Sequence, residues 1–230
     1  MLTTEDYLAG QVLLIDKPLH WTSFQVVNKL RWELKQALKI KKIKVGHAGT
    51  LDPLASGLLV ICTGKMTKQI DSFQAQTKEY TGTFVLGSTT PSFDLETEIN
   101  KNFPTEHISE RLIKETTKQF TGEIQQYPPV FSAIKKDGKR LYEFARAGES
   151  VEIKPRTVSI LEFEITKING LNVDFRVVCS KGTYIRSLAN DFGKALQSGA
   201  HLSALRRTKI GDFTVKNAIS IEDFIARLKD

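Results

Sequence analysis

Cysteine is scarce. The 230 residues contain two, Cys62 and Cys179, far apart in strand-like apolar runs. That excludes a disulfide framework and a cysteine metal pair, and reads as two buried free thiols in a reducing compartment. No apolar run reaches membrane-spanning length. The first ten residues, MLTTEDYLAG, carry Glu5 and Asp6 and no apolar core, so they do not read as a signal peptide. The expectation is a cytoplasmic, membrane-free protein. Internal repeats, low-complexity tracts and long linkers are also missing.

Several chemistries are excluded in the same way. There is no zinc-ligand spacing and no His/Cys cluster. GxGxxG is absent, as is the GKS or GKT that closes a nucleotide-binding loop, so ATP and NAD are poor candidates. No Ser-His-Asp elbow is present. No cofactor and no metal are expected.

What the chain does have is positive charge. Thirty-three Lys and Arg face 26 Asp and Glu, giving a formal net charge of +7. Such a balance favours a polyanion, most often nucleic acid, although a lysine-rich soluble surface gives the same count. Apolar residues at 40% are ordinary for a globular protein, and the length is enough for a sizeable core.

The periodicities mix strands and helices without strict βαβ alternation, which predicts an α+β fold. Gln11 to Ile15 reads as a strand. Thr22 or Ser23 caps a helix with Val26, Val27, Leu30, Leu34, Ala37 and Leu38 on its apolar face. Leu58 to Cys62 is a buried strand and Lys65 to about Phe73 is helical. Thr77 to Gly87 alternates, with Tyr80, Gly82, Phe84 and Leu86 on one face. Residues 88 to 104 read as loop, and Thr105 caps a helix through Phe120. Thr157 to Thr166 and Leu171 to Cys179 read as a hairpin turned at Asn169-Gly170. Thr183 to Leu196 is helical, Leu205 to Phe213 strand-like, and Ser220 to Leu228 a capped helix.

One stretch stands apart. VGHAGTLDPLASGLL, Val45 to Leu59, surrounds a single acid, Asp52, with three glycines, two alanines, a serine and a proline. Asp-Pro in a glycine-rich segment is by itself a turn. The glycine density beside a strand end adds room for close backbone approach.

VGHAGTLDPLASGLLVICTGKMTK closely resembles the signature of the bacterial tRNA pseudouridine synthase B (TruB) family. IDKP, at residues 15–18, resembles its N-terminal motif and KEYTGTFVLGSTTPSFDLE its second. QYPPVFSAIKKDGKRLYEFARAGE resembles the RNA-gripping thumb insertion, about residues 128–152. CSKGTYIRSLANDFG and GAHLSALRRTKIG resemble the last two motifs. The matches run in order over nearly the whole chain.

The resemblance implies a pseudouridine synthase catalytic fold: a mixed, mostly antiparallel central sheet flanked by helices, forming one domain over residues 1–230 with the thumb inserted. It implies isomerisation of a uridine in the T-loop of tRNA, conventionally position 55, after the base is flipped out of its stack. Asp52 falls on the family's nucleophile. A carboxylate is ionised at neutral pH and adds to carbon without a partner base. Whether it adds to the sugar C1′ or the base C6, or assists glycal formation, the sequence leaves open. Tyr80 resembles the tyrosine that stacks on the target base, and Arg186 the arginine that pairs with the catalytic Asp. His47 resembles the histidine that inserts into the RNA loop. Tyr184 and Leu205 resemble residues of the base pocket, and Lys17 belongs to the same substrate-binding set. Basic clusters then read as phosphate contacts: Lys35, Lys39, Lys41, Lys42 and Lys44 before the loop; Lys135, Lys136, Lys139, Arg140 and Arg146 in the thumb; Arg206 and Arg207 after Leu205.

Two departures are visible. The family usually has glycine where His20 stands, which affects the turn after IDKP. Many relatives also continue into a small RNA-binding PUA domain, and none is expected here. The expected partner is the tRNA T-arm, with no obligatory protein partner. Two alternatives remain: a non-catalytic RNA-binding or tRNA-folding factor, and a guide-RNA-dependent relative.

Overall fold

Thr22 is the helix cap. In the computed structural model its hydroxyl accepts the Gln25 N–H at 3.0 Å while the Gln25 side chain accepts the Thr22 N–H at 2.7 Å. This reciprocal capping box opens the helix Ser23–Ala37. Val26, Val27, Leu30 and Leu34 are its buried stripe; Ala37, expected on that face, is exposed. The structure describes residues 2–132, 135, 136, 138–147, 149 and 152–229.

The chain groups into two compact units, Met1–Tyr80 with Leu205–Asp230, and Thr81–Ala204. In the first, the buried strand Ala55–Thr63 is central. Strand Val12–Lys17 pairs with it antiparallel, Lys17 opposite Gly57. The short strand Val45–His47 does the same, His47 opposite Ile61. A further pairing was not expected: Leu205, Arg206 and Arg207 run parallel to Ala55, Ser56 and Gly57. Ile15, Leu59 and Ile61 pack with the Ser23–Ala37 stripe and with Ile221 and Phe224 of the helix Ile221–Lys229. That last helix is capped by Ser220, as its sequence predicts.

In the second unit the strands Asn172–Cys179, Arg156–Asn169 and Gly122–Gln126 lie side by side and antiparallel. Phe84, Phe163, Phe175 and Phe192 interlock in its core, with Phe84 and Phe175 stacked at 4.1 Å between ring centroids. Gly82 sits where a Cβ would lie 2.8 Å from the Phe175 ring and 2.3 Å from the Ala204 carbonyl, which explains the missing side chain on that strand face.

The fold is α+β with mostly antiparallel pairing, as expected. Several boundaries move. Ser109, not Thr105, caps the helix Glu110–Thr116, because its hydroxyl accepts the Leu112 N–H. A 3₁₀ turn, Thr117–Phe120, follows. The hairpin turns at Gly170-Leu171, one place later than expected, since Asn169 still pairs with Asn172. Residues 88–104 include two short paired strands, Ser88–Thr89 and Lys101–Asn102. The strand expected from Leu205 begins earlier, at Ala200. Both cysteines are buried and neither is in a disulfide, and burial pushes the Cys62 thiol up to about 11. No described helix is long and apolar enough to cross a membrane.

Candidate active site

The loop between Val45–His47 and Ala55–Thr63 is fixed through its carbonyls. Gly49 O and Thr50 O accept from the Arg207 guanidinium at 3.1 and 3.4 Å. Leu51 O accepts from the Ser23 hydroxyl at 3.1 Å, and the hydroxyl oxygen in turn accepts the Leu51 N–H at 2.8 Å. Asp52 O accepts the Ala55 N–H at 3.0 Å, closing the turn that Asp-Pro announces. Pro53 O accepts the His20 N–H at 2.7 Å. Five consecutive carbonyls are therefore held, and the half-buried Asp52 side chain is what this rigid loop displays.

Glycine is required at two points here. Gly49 has φ +102° and Gly57 φ +103°, and a Cβ on Gly57 would sit 2.3 Å from the Arg207 carbonyl. His20 also occupies the left-handed region, at φ +65°. That is the conformation glycine adopts freely, and it accounts for the glycine usual in the family at this turn.

Positive charge supports the loop from beneath. Arg207 is 1% exposed and its Nε donates to Leu58 O at 2.8 Å. Lys17 is fully buried, its ammonium donating to Pro18 O at 2.8 Å and Trp21 O at 2.6 Å. Burial lowers the Lys17 pKa to about 8 against the opposing pull of the Asp52 charge, and Arg207 lowers it further. His47 is half-buried, and burial followed by the Arg207 charge lowers its pKa below the usual 6.5. It is a neutral ring at pH 7.

Three of the expected contact residues are already engaged by the protein itself. Arg207 is engaged by loop carbonyls inside the protein, so it is not placed to meet a phosphate. Arg206 makes a two-pronged ion pair with Asp16, at 2.6 and 3.1 Å, and a further bond to Ser56, so its fork is occupied. Lys17 is enclosed, its ammonium bonded to the Pro18 and Trp21 carbonyls. Leu205 pairs with Ala55, three residues beyond Asp52. Tyr80 is 9% exposed on the strand Lys78–Leu86, which Thr208 ties to the Leu205–Arg207 strand through the Glu79 carbonyl and carboxylate. The side chains of Lys135, Lys136, Arg140 and Arg146 lie outside the described residues; Lys139 is exposed.

In the second unit, Tyr184 caps the helix Ile185–Ala195. The Gln126 side-chain amide grips its backbone on both sides, accepting the Tyr184 N–H at 2.8 Å and donating to its carbonyl at 3.1 Å. Arg186, in the first turn, is 4% exposed. Its Nη2 donates to Phe131 O at 2.9 Å, and its Nε lies 3.6 Å from the Asp94 carboxylate. Asp94 is itself fixed by the Glu96 N–H at 3.0 Å. The neighbouring Phe93 has φ +64°, a strained state for a bulky residue. Sequence reading missed Asp94, Gln126 and the Ser23 brace. The signal for Asp94 was its place in PSFDLE, inside a motif quoted for other residues.

Comparisons with known proteins give the family. Residues 35–185 match a family model described as "TruB family pseudouridylate synthase (N terminal domain)", and residues 186–229 one described as "tRNA pseudouridylate synthase B C-terminal domain". The chain is 69% identical over 224 residues to the tRNA pseudouridine synthase B of Flavobacterium johnsoniae, covering 97% of this chain and 98% of that protein. It is 58% identical over 223 residues to that of Parabacteroides distasonis, covering 96% and 95%. Among solved structures it resembles the one titled "Crystal Structure of a Cbf5-Nop10-Gar1 Complex", with TM-score 0.72 and 33% identity over 96% of this chain and 54% of that one, so it spans about half of that solved chain. A glycine-lined loop built to hold one carboxylate, and sequence likeness over nearly the full length, lead to the same place: this chain belongs to the TruB family of pseudouridylate synthases.

Proposed function

We propose that the chain isomerises the T-loop uridine of tRNA, position 55, to pseudouridine, with Asp52 as the nucleophile. The observation that carries this reading is the loop with five anchored carbonyls around one displayed acid. In the reaction the uracil N1–C1′ bond breaks and a C5–C1′ bond forms. The C5 proton leaves and N1 gains one, so nothing is oxidised or hydrolysed. Asp52 adds to carbon and is released unchanged, which requires an ionised carboxylate held in one place. Arg207 holds the loop that carries it through the Gly49 and Thr50 carbonyls.

The remaining roles follow the family resemblance. Tyr80 stacks on the extruded base, and Leu205 lines its pocket. Neutral His47 fills the gap left in the RNA loop; a ring without charge stacks among bases with little desolvation cost. The resemblance assigns Arg186, held by Asp94 and the Phe131 carbonyl, to the same reaction. The relatives' name supports tRNA as the substrate.

The test is turnover on unmodified tRNA by the purified protein alone. Wild type is expected to form pseudouridine in the T-loop without a guide RNA. Asp52→Asn, whose amide is a poor nucleophile, is expected to abolish turnover and keep RNA affinity. A wild-type rate in that variant removes Asp52 from the reaction. Binding with no turnover by the wild type leaves only a binding or folding factor.

A further inference from the structure

Tyr184 stands at the start of the helix Ile185–Ala195, and tyrosine has no short oxygen with which to cap it. The start of that helix is held from outside instead. Gln126 ends the strand Gly122–Gln126 and is 2% exposed. Its amide accepts the Tyr184 N–H and donates to the Tyr184 carbonyl, which also accepts the Leu188 N–H at 3.0 Å. One amide bonded to both backbone groups of a residue reproduces the pairing of an antiparallel strand. It fixes Tyr184 in the extended region, φ −100° and ψ 109°, one residue before the chain turns helical.

The same segment takes two further bonds from the first turn. The Ser187 hydroxyl, on a residue 1% exposed, donates to Tyr127 O at 2.7 Å. The Arg186 guanidinium donates to Phe131 O. Between these acceptors lie Pro128 and Pro129, both buried, whose rings fix φ and stiffen the segment. Ser132 N–H donates to Val130 O at 2.9 Å and folds its end back. All of these residues belong to the second unit. Tyr184 and Ser187 bracket Arg186, so their anchors set where its side chain starts. The carbonyl that receives the guanidinium lies on the anchoring segment, so donor and acceptor keep one separation.

We infer that Gln126 and Ser187 are positioning residues for the proposed reaction. They act through Tyr184 and Arg186, which the family resemblance assigns to it, and the inference rests on that reading. Both are buried and bonded to backbone, so neither touches RNA. Gln126 needs an amide because it must donate and accept at once. A carboxylate there keeps the bond from the Tyr184 N–H and sets a negative oxygen against the Tyr184 carbonyl. A protonated carboxyl group, with one hydroxyl donor and one carbonyl acceptor, restores both bonds.

The experiment measures single-turnover pseudouridine formation, tRNA affinity and the urea midpoint for wild type, Ser187→Ala, Gln126→Glu and Val173→Ala. Val173 is buried in the hairpin opposite Ile168 and serves as the control for stability alone. Ser187→Ala is safe for the helix, since Ala is the better helix former. It is expected to lose about tenfold in rate with affinity nearly unchanged, since misplacement by about 1 Å costs up to 10²-fold. Gln126→Glu is expected to lose more at about pH 8, and its rate relative to wild type to recover towards about pH 5.5, as the buried carboxyl group takes up a proton. Val173→Ala is expected to lower the midpoint and keep the rate. A wild-type rate in Ser187→Ala overturns the inference. So does a flat pH ratio for Gln126→Glu, a loss of affinity at unchanged rate, or a rate loss in Val173→Ala that matches its midpoint in the same proportion. In each of these cases turnover by the wild type leaves the proposed function standing. A wild type that forms no pseudouridine overturns that function, and the positioning role with it.

Discussion

His20 illustrates the energy held in one dihedral angle. Its φ of +65° places an exposed histidine in the left-handed region, a state about 1–2 kcal/mol unfavourable for residues with a Cβ. His20→Gly removes that strain but adds about 0.5–1 kcal/mol of chain entropy to lose. A net gain of roughly 0.5 kcal/mol is expected in urea denaturation. The Pro53 anchor is a backbone bond and survives the change. Lys17 gives a pH signature. Its folded pKa is about 8 against 10.5 in the unfolded chain, so between these values the unfolded state binds more protons and stability rises with pH. Below about pH 8 both states are protonated and the cost of the buried charge is present in full. Wild type compared with Lys17→Met is expected to gain stability from pH 8 to 10.5, read from denaturation midpoints; a flat difference refutes a depressed pKa. At this scale the tight glycine-bearing turn around Asp52 was legible in the sequence, while the surroundings of the cations were not. Lys17 and Arg207 look like substrate or phosphate contacts because charge is visible in a sequence and burial is not.

Elements matter most where two of them meet the catalytic loop. Ser23 looks like an alternative cap, yet Thr22 takes that role and frees the Ser23 hydroxyl for both polar groups of Leu51. Ser23→Ala leaves the buried Leu51 N–H without its acceptor, at a cost of about 1–3 kcal/mol. Single-turnover rates are expected to fall more than tRNA affinity, because the loop loses definition while the binding surface is unchanged. An unaltered rate with lowered stability separates the brace from catalysis. Helices and strands were mostly readable from apolar spacing, as Val26, Val27, Leu30 and Leu34 show. Cap choice was not, since Thr105 and Ser109 are both plausible caps and only tertiary packing selects Ser109. The parallel register of Leu205–Arg207 against Ala55–Gly57 was also hidden, because it joins segments about 150 positions apart and no local pattern encodes it.

For the whole molecule, a formal charge of +7 predicts strong salt dependence. With about six phosphates contacted, tRNA affinity is expected to drop roughly 10³-fold between 50 and 200 mM salt, measured by equilibrium binding. A weak response contradicts an electrostatic mode of binding. Length, charge and the missing motifs were enough to discard redox, nucleotide-driven and metal-cluster chemistries in the sequence, and the run of motifs supplied the family. The grouping into two units was not readable, because no linker marks it and the strands Lys78–Leu86 and Ala200–Ile210 each pass the division uninterrupted.

A reactive loop with every carbonyl from Gly49 to Pro53 already engaged has little capacity to adapt. The work of reshaping at the Asp52 loop then falls on the nucleic acid. Hairpins whose loops breathe readily should outpace tightly knit ones, and warming or loosening the tRNA elbow should speed the reaction until the protein itself begins to melt.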